Sequence, residues 1–193
     1  MHIDFSNIQT ASAVPGAAAM IETFRAIGYS LETAVADIID NSISAEAKNI
    51  YINRVWKGGG SIITIRDDGY GMSNEEIIQA MRPGAQNPLE ERSLTDLGRF
   101  GLGLKTASFS QCRNLTVMSK QDGGAVSYWT WSLDYVAQSD KWELIKWTPD
   151  EYLNALDDVA RGTIVIWSHL DRVIPSATRE DDENAKRKFS EAF

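Results

Sequence analysis

At 193 residues, 43% of them hydrophobic and 24% charged, the chain has the size and composition of one soluble globular domain with a real core, with or without a short appendage. A formal net charge of −8 and a pI near 4.8 give a bulk field that repels nucleic acid, so no direct nucleic-acid binding by this domain is expected. The single cysteine, Cys112, excludes an internal disulfide and a Cys-based zinc site. With no apolar run near the ~20 residues of a membrane span and no signal-peptide pattern, no membrane association is expected and the cytoplasm is the default compartment.

In chain order, residues 1–16 end in Val14-Pro15-Gly16 and read as an N-terminal arm. A helical pattern runs from Ala17 to about Tyr29, with Gly28 marking its end, and a second from Leu31 to Ala45 with an apolar stripe at Leu31, Val35, Ile38, Ile39 and Ile43. Asn49–Trp56 and Ser61–Arg66 read as strands joined by Lys57-Gly58-Gly59-Gly60. Ser73-Asn74-Glu75-Glu76 is a capping box, so a helix is expected from there to about Met81. Arg82–Leu97, with Pro83, Gly84, Pro88 and scattered charge, predicts a mobile loop; a short helix follows from Leu104 to about Phe109. Strands are expected at Leu115–Ser119, Ala125–Leu133, Trp142–Trp147 and Gly162–Trp167, a helix at Asp150–Val159, and a charged helical tail from Glu180. His2 and His169 have no ligand spacing and read as structural.

Three segments carry chemistry. Asp37 and Asn41 are one turn apart on the second helix and Ser44 lies three further on, so all three share a polar face. A carboxylate and a carboxamide so placed suit Mg²⁺ and a polarised water, although a solvated acidic face has the same spacing. Asp67-Asp68-Gly69-Tyr70-Gly71-Met72 follows the strand Ile62–Ile65; a strand-end carboxylate can accept an amino hydrogen from a planar base while the glycines let that base approach. A tight turn needing positive φ explains the glycines equally well. Gly98-Arg99-Phe100-Gly101-Leu102-Gly103-Leu104-Lys105 opens a helix, where exposed N–H groups favour phosphate and Lys105 adds a charge. It is neither a Walker P-loop, lacking the Gly-Lys-Ser/Thr ending, nor a Rossmann fingerprint.

Helix ledge, strand-end aspartate, mobile loop, glycine turn and a late Gly162-Thr163-x-Val165 strand occur in the order that resembles the GHKL superfamily of gyrase B, heat-shock ninety chaperones, histidine kinases and MutL. Asp37-x-x-x-Asn41 is similar to its N box, and Asp67-x-Gly69-x-Gly71 and Gly98 to Gly103 to its two glycine boxes. The turn ending in Lys105 and the Thr163 strand look most like the MORC-type and chaperone-like branches. The resemblance spans about Ile21 to Leu170, with the ATP-binding domain placed at 17–170 and a charged tail at 171–193 leading to a following domain.

That resemblance implies a Bergerat-type α/β two-layer sandwich, with a mixed, largely antiparallel sheet and helices on one face. ATP and Mg²⁺ would be the ligands. Asn41 would hold Mg²⁺ and Asp67 the adenine amino group; Gly69, Gly71 and Met72 would line the base, with Thr163 beside Asp67. Gly98, Arg99, Phe100, Gly101, Leu102, Gly103 and Lys105 would hold the phosphates, under a lid at Arg82–Leu97. Asp37 would be the catalytic base, one methylene shorter than the glutamate usual in hydrolytic branches, and Ser44 stands where an aspartate is common. The activity implied is slow ATP hydrolysis coupled to lid closure and an ATP-dependent homodimer. Two alternatives are a nucleotide-gated interaction module without hydrolysis and a histidine- or serine-protein kinase domain, which labelled ATP and candidate acceptor proteins would separate.

Overall fold

The computed structural model describes residue 6, residues 8–84 and residues 103–192. Helices α1 (Ala17–Arg25) and α2 (Leu31–Ser44) come first, then strands β1 (Ile50–Val55) and β2 (Ile62–Asp67), and α3 (Asn74–Met81) and α4 (Gly103–Phe109). β3 (Asn114–Lys120), β4 (Ser127–Ser132), α5 (Leu133–Ser139), β5 (Gly162–Ser168) and α6 (Glu183–Glu191) complete the order.

Helices α2 and α3 start where side chains satisfy their free N–H groups. Ser30 accepts from the Thr33 N–H to open α2, and Ser73 and Glu76 form the expected reciprocal box at α3. The strands form one sheet in the order β1-β2-β5-β3-β4, antiparallel at every pair rather than mixed. Alternation along the strands separates two cores. Ile63, Ile65, Leu115, Val117, Trp131 and Trp167 face the helices with Ile38 and Phe109. Ile62, Met118, Ile164 and Ile166 face the other way, under Leu156 and its neighbours. The two-layer α/β sandwich is therefore as expected, with its helical layer on one face.

Three expected elements differ. Trp142–Trp147 makes one isolated bridge, Ile145 to Thr130, instead of a strand. Trp142 and Leu144 turn inward to pack on the helix-side core. Leu133 does not end a strand: the Ser132 hydroxyl accepts from the Tyr135 N–H and opens α5. At Asp150–Val159 only the turn Asp150–Tyr152 is helical, of the 3₁₀ type. Lys120 Nζ donates to the Leu156 and Asp157 carbonyls, and Asn154, Asp157 and Asp158 are residues whose side chains compete for backbone groups.

The C-terminal residues pack on the same sandwich. Ile174 and Phe189 are buried in the helix-side core, and the Trp56 and Phe189 rings lie 5.8 Å apart. Gly58 and Gly59 of the Lys57–Gly60 turn fit beneath residues 176–180 because they have no side chains: a β-carbon on Gly59 would sit 2.1 Å from the Ser176 carbonyl oxygen.

Candidate nucleotide-binding site

Asp67 ends β2 and pairs in register with Thr163 of β5, so both side chains project from one point of the sheet toward α2. Asp67 is only 7% exposed. Its Oδ2 accepts from the Ser42 hydroxyl at 2.8 Å and its Oδ1 from the Gly69 N–H at 2.9 Å. Burial raises its pKa above the ordinary carboxylate range, and the Gly69, Ser42 and Thr163 hydrogen bonds oppose that rise. Beside it, Thr163 Oγ1 and Ser119 Oγ are 2.8 Å apart, and Ser119 Oγ accepts from the Met72 N–H at 2.8 Å. One polar chain thus links β5, β3 and the loop after β2.

The glycines of that loop are required by close approach. Gly71 has φ +72°, and a β-carbon there would lie 2.0 Å from the Lys120 carbonyl oxygen; at Gly69 it would meet the Ala45 carbonyl oxygen at 2.7 Å. Asp68 points elsewhere. Its Oδ1 accepts the Lys48 and Asn49 N–H groups and its Oδ2 the Asn49 side chain, and these bonds hold its pKa down at about 2. The two adjacent carboxylates therefore divide their work: Asp68 ties down the turn after α2, and Asp67 faces a cleft.

The cleft measures about 290 Å³. Asn41, Ser42 and Ser44 of α2 line one side, Asp67, Gly71 and Met72 a second, and Thr163, Val165 and Val117 the floor. It combines an apolar bed with a few fixed polar groups, as small-molecule sites do. Ser44 Oγ is buried without a hydrogen-bond partner among the described residues, which leaves a donor for an occupant.

Asp37 does not line this cleft. It lies at its α4 end, where a β-carbon on Gly103 would be 3.5 Å from Asp37 Oδ2. Partial burial raises its pKa, a hydrogen bond from the Tyr29 side chain lowers it, and Asp40 raises it further. Lys105 is turned inward: it is 2% exposed, and Nζ donates to the Ala80 carbonyl oxygen at 2.8 Å. Burial brings its pKa down to about 8. Gly98, Arg99, Phe100, Gly101 and Leu102 lie outside the described residues, as do residues 85–97 of the expected lid. Among the described residues no cluster of three His, Cys, Asp or Glu side chains could hold a metal. A Mg²⁺ ion here would have to draw its remaining ligands from phosphate and water around Asn41.

Sequence reasoning missed Ser42 and Ser119. Both were legible as polar residues in apolar rows. Ser42 follows Val35 and Ile38 on the buried face of α2, and Ser119 follows Leu115 and Val117 on the inward face of β3. A buried hydroxyl in such a row needs a buried partner; here the partners are Asp67 and Thr163.

The profile of the histidine kinase-, DNA gyrase B- and HSP90-like ATPases matches residues 29–163, the stretch that contains α2, both glycine segments and Thr163. Among curated proteins, the chain is 32% identical to "ATPase morc-1" of Caenorhabditis elegans over 91 residues, 47% of this chain and 10% of that protein. It is 35% identical to the DNA mismatch repair protein MutL of Clostridium beijerinckii over 98 residues, covering 50% of this chain and 15% of the relative. MutL of Colwellia psychrerythraea is also 35% identical, over 100 residues, with the same 50% and 15% coverage. The matched stretch is thus a small fraction of each relative's length. With a profile match across most of the chain and the Asp67 cleft inside it, the chain belongs to the histidine kinase-, DNA gyrase B- and HSP90-like ATPase family.

Proposed function

We propose that this domain binds Mg·ATP in the Asp67 cleft and hydrolyses it slowly, as the ATPase module of a larger protein. The observation that carries the reading is the orientation of Asp67. Ser42 and Gly69 each donate to one carboxylate oxygen, which leaves lone pairs for the amino group of a base lying between α2 and the sheet. At about 290 Å³ the cleft suits the nucleoside part, and the triphosphate extends toward Gly103 and the glycine turn. Asn41 supplies an amide oxygen to the metal, which when bound neutralises phosphate charge.

Asp37 orients a water toward the terminal phosphate, a role its nearness to Gly103 supports. Its short side chain and its position outside the cleft lining favour low turnover. The same observation supports a second reading, a nucleotide-gated interaction module in which binding without hydrolysis drives closure of residues 82–97 and homodimerisation. The net charge of −8 supports the view that this domain does not itself grip nucleic acid.

Equilibrium titration with ATP, ADP and GTP, with phosphate release followed in parallel, tests the proposal. ATP and ADP should bind and GTP should not, because guanine sets a carbonyl oxygen against the Asp67 carboxylate. Equal affinity for ATP and GTP would remove Asp67 from the base site. Binding without phosphate release would select the second reading.

A further inference from the structure

A larger cavity, about 750 Å³, lies on the far side of α3 from the nucleotide cleft. Its walls are Met20 and Phe24 of α1, Ile78 of α3, Trp129 and Trp131 of β4, and Trp142. Three of the chain's six tryptophans meet here. They are fixed by the fold: the Trp131 and Trp142 rings are 6.2 Å apart and edge-on. Two of the three polar edges are already used, since Trp129 Nε1 donates to Asn74 Oδ1 at 2.9 Å and Trp131 Nε1 to the Met81 carbonyl oxygen at 2.9 Å. An occupant therefore meets ring faces and methylene groups and need supply no hydrogen bond to those indoles.

The charged groups in the wall are Arg82 and Glu143. Glu143 is engaged by the Tyr135 hydroxyl at 2.8 Å. Arg82 is exposed and has no ion pair among the described residues, so it is the group left to meet an acidic substituent.

We propose that this cavity is a second ligand site, for an aromatic small molecule carrying one anionic group, and that α3 couples it to the nucleotide cleft. The volume falls within the usual range of small-molecule pockets, and the aromatic wall selects a flat apolar body. The coupling follows from the shared wall. Ile78 and Arg82 line the cavity while Ala80 lines the nucleotide cleft. The last carbonyls of α3 are gripped from both sides, Ala80 by Lys105 Nζ and Met81 by Trp131 Nε1. A ligand that shifts Trp131 acts on the same helical turn that Lys105 holds. The coupling rests on the nucleotide reading above; the binding site does not.

The probe is 8-anilinonaphthalene-1-sulfonate, titrated into the folded chain labelled with 5-fluorotryptophan and read by fluorescence and ¹⁹F NMR. The site predicts saturable 1:1 binding with shifts confined to Trp129, Trp131 and Trp142, leaving Trp56, Trp147 and Trp167 in place. Met20→Trp, which fills the cavity, should weaken the probe at least tenfold; the NMR pattern of the unsubstituted chain decides the matter if that variant does not fold. No saturable binding, shifts at the other three tryptophans, or competitive displacement by a non-hydrolysable ATP analogue would overturn the site. The coupling predicts that saturating probe changes the affinity for that analogue severalfold without competing for its place. An unchanged affinity alongside the confined shifts would overturn the coupling alone. If the analogue does not bind at all, the nucleotide reading fails instead.

Discussion

Replacing Asp67 by asparagine keeps the side chain's shape and removes its charge. In the structure Asp67 is 7% exposed; its Oδ2 accepts from Ser42 and its Oδ1 from Gly69, and the Thr163 backbone adds a further stabilising hydrogen bond to the charged form. A base amino group donating to the same carboxylate forms a charge-assisted bond worth about 1.5–3 kcal/mol. Its loss weakens ATP and ADP binding by about 10- to 150-fold, at about 1.4 kcal/mol per decade. The carboxamide also presents an NH₂ group to one of the two donors now satisfied, so the fold itself loses about 1–3 kcal/mol. Denaturant unfolding beside calorimetric titration separates the two effects. The pH dependence adds a second readout. Because burial raises the pKa, nucleotide affinity of the unsubstituted chain should fall on acidification at a higher pH than an ordinary carboxylate would give, and Asp67→Asn should lose that limb. Stability runs the other way: the folded state prefers the protonated acid, so the contribution of Asp67 is complete below its unfolded-state pKa and is lost as pH rises through the raised folded-state value. Unchanged affinity in a folded Asp67→Asn chain, or an acid limb that persists in it, refutes the assignment.

Ser42→Ala removes the 2.8 Å bond to Asp67 Oδ2 and should weaken ATP by about 1 kcal/mol while moving the acid limb of binding to still higher pH, since that bond lowers the Asp67 pKa; titration at several pH values checks both. Asn41→Ala should weaken Mg·ATP far more than metal-free ATP, and equal losses with and without Mg²⁺ would assign that face of α2 a structural role. Asp37→Ala should abolish phosphate release with ATP affinity nearly intact, and Asp37→Glu should match or exceed the original rate, both by single-turnover assay; wild-type turnover in Asp37→Ala would move attention to Asp40. Gly71→Ala should destabilise the domain by at least about 2 kcal/mol in denaturant unfolding, because φ is +72° and the new carbon meets the Lys120 carbonyl oxygen at 2.0 Å.

The fold was legible where one local rule decided the outcome. The Ser73 capping box, the Leu31 start of α2 and the Gly162 strand all stand within a residue or two of their expected positions. It was illegible where two rules competed. Ser132 follows a run of alternating aromatics that reads as a continuing strand, yet its hydroxyl satisfies the Tyr135 N–H and turns the chain into α5. Ile43 shows the same limit within a helix. Its spacing from Ile39 and Val35 puts it on the apolar stripe, but it is 52% exposed and Ser42 is buried in its place. Periodicity locates a stripe to within one residue's rotation; the partner across the interface, here Asp67, fixes which neighbour turns inward.

Lys105 shows why the site was less legible than the fold. Its place after a glycine turn reads as a phosphate ligand, because spacing reports nearness along the chain and not direction in space. The helix that carries it, α4, is seven residues long and buried from Lys105 to Phe109, so no solvent-facing side remains for a long cationic chain. The ammonium is instead satisfied by the Ala80 carbonyl oxygen, and the cost of burying it appears as a pKa brought down to about 8. Nζ has three donors and Ala80 takes one, so a phosphate that accepts from another would be tied through Lys105 to the end of α3, just before Arg82. Triphosphate binding and the position of that helix end are then linked. Lys105→Met, which keeps the aliphatic packing and removes the donor, separates the possibilities: a phosphate ligand predicts about a tenfold loss for ATP with adenosine unaffected, whereas a purely structural clasp predicts equal small losses for both.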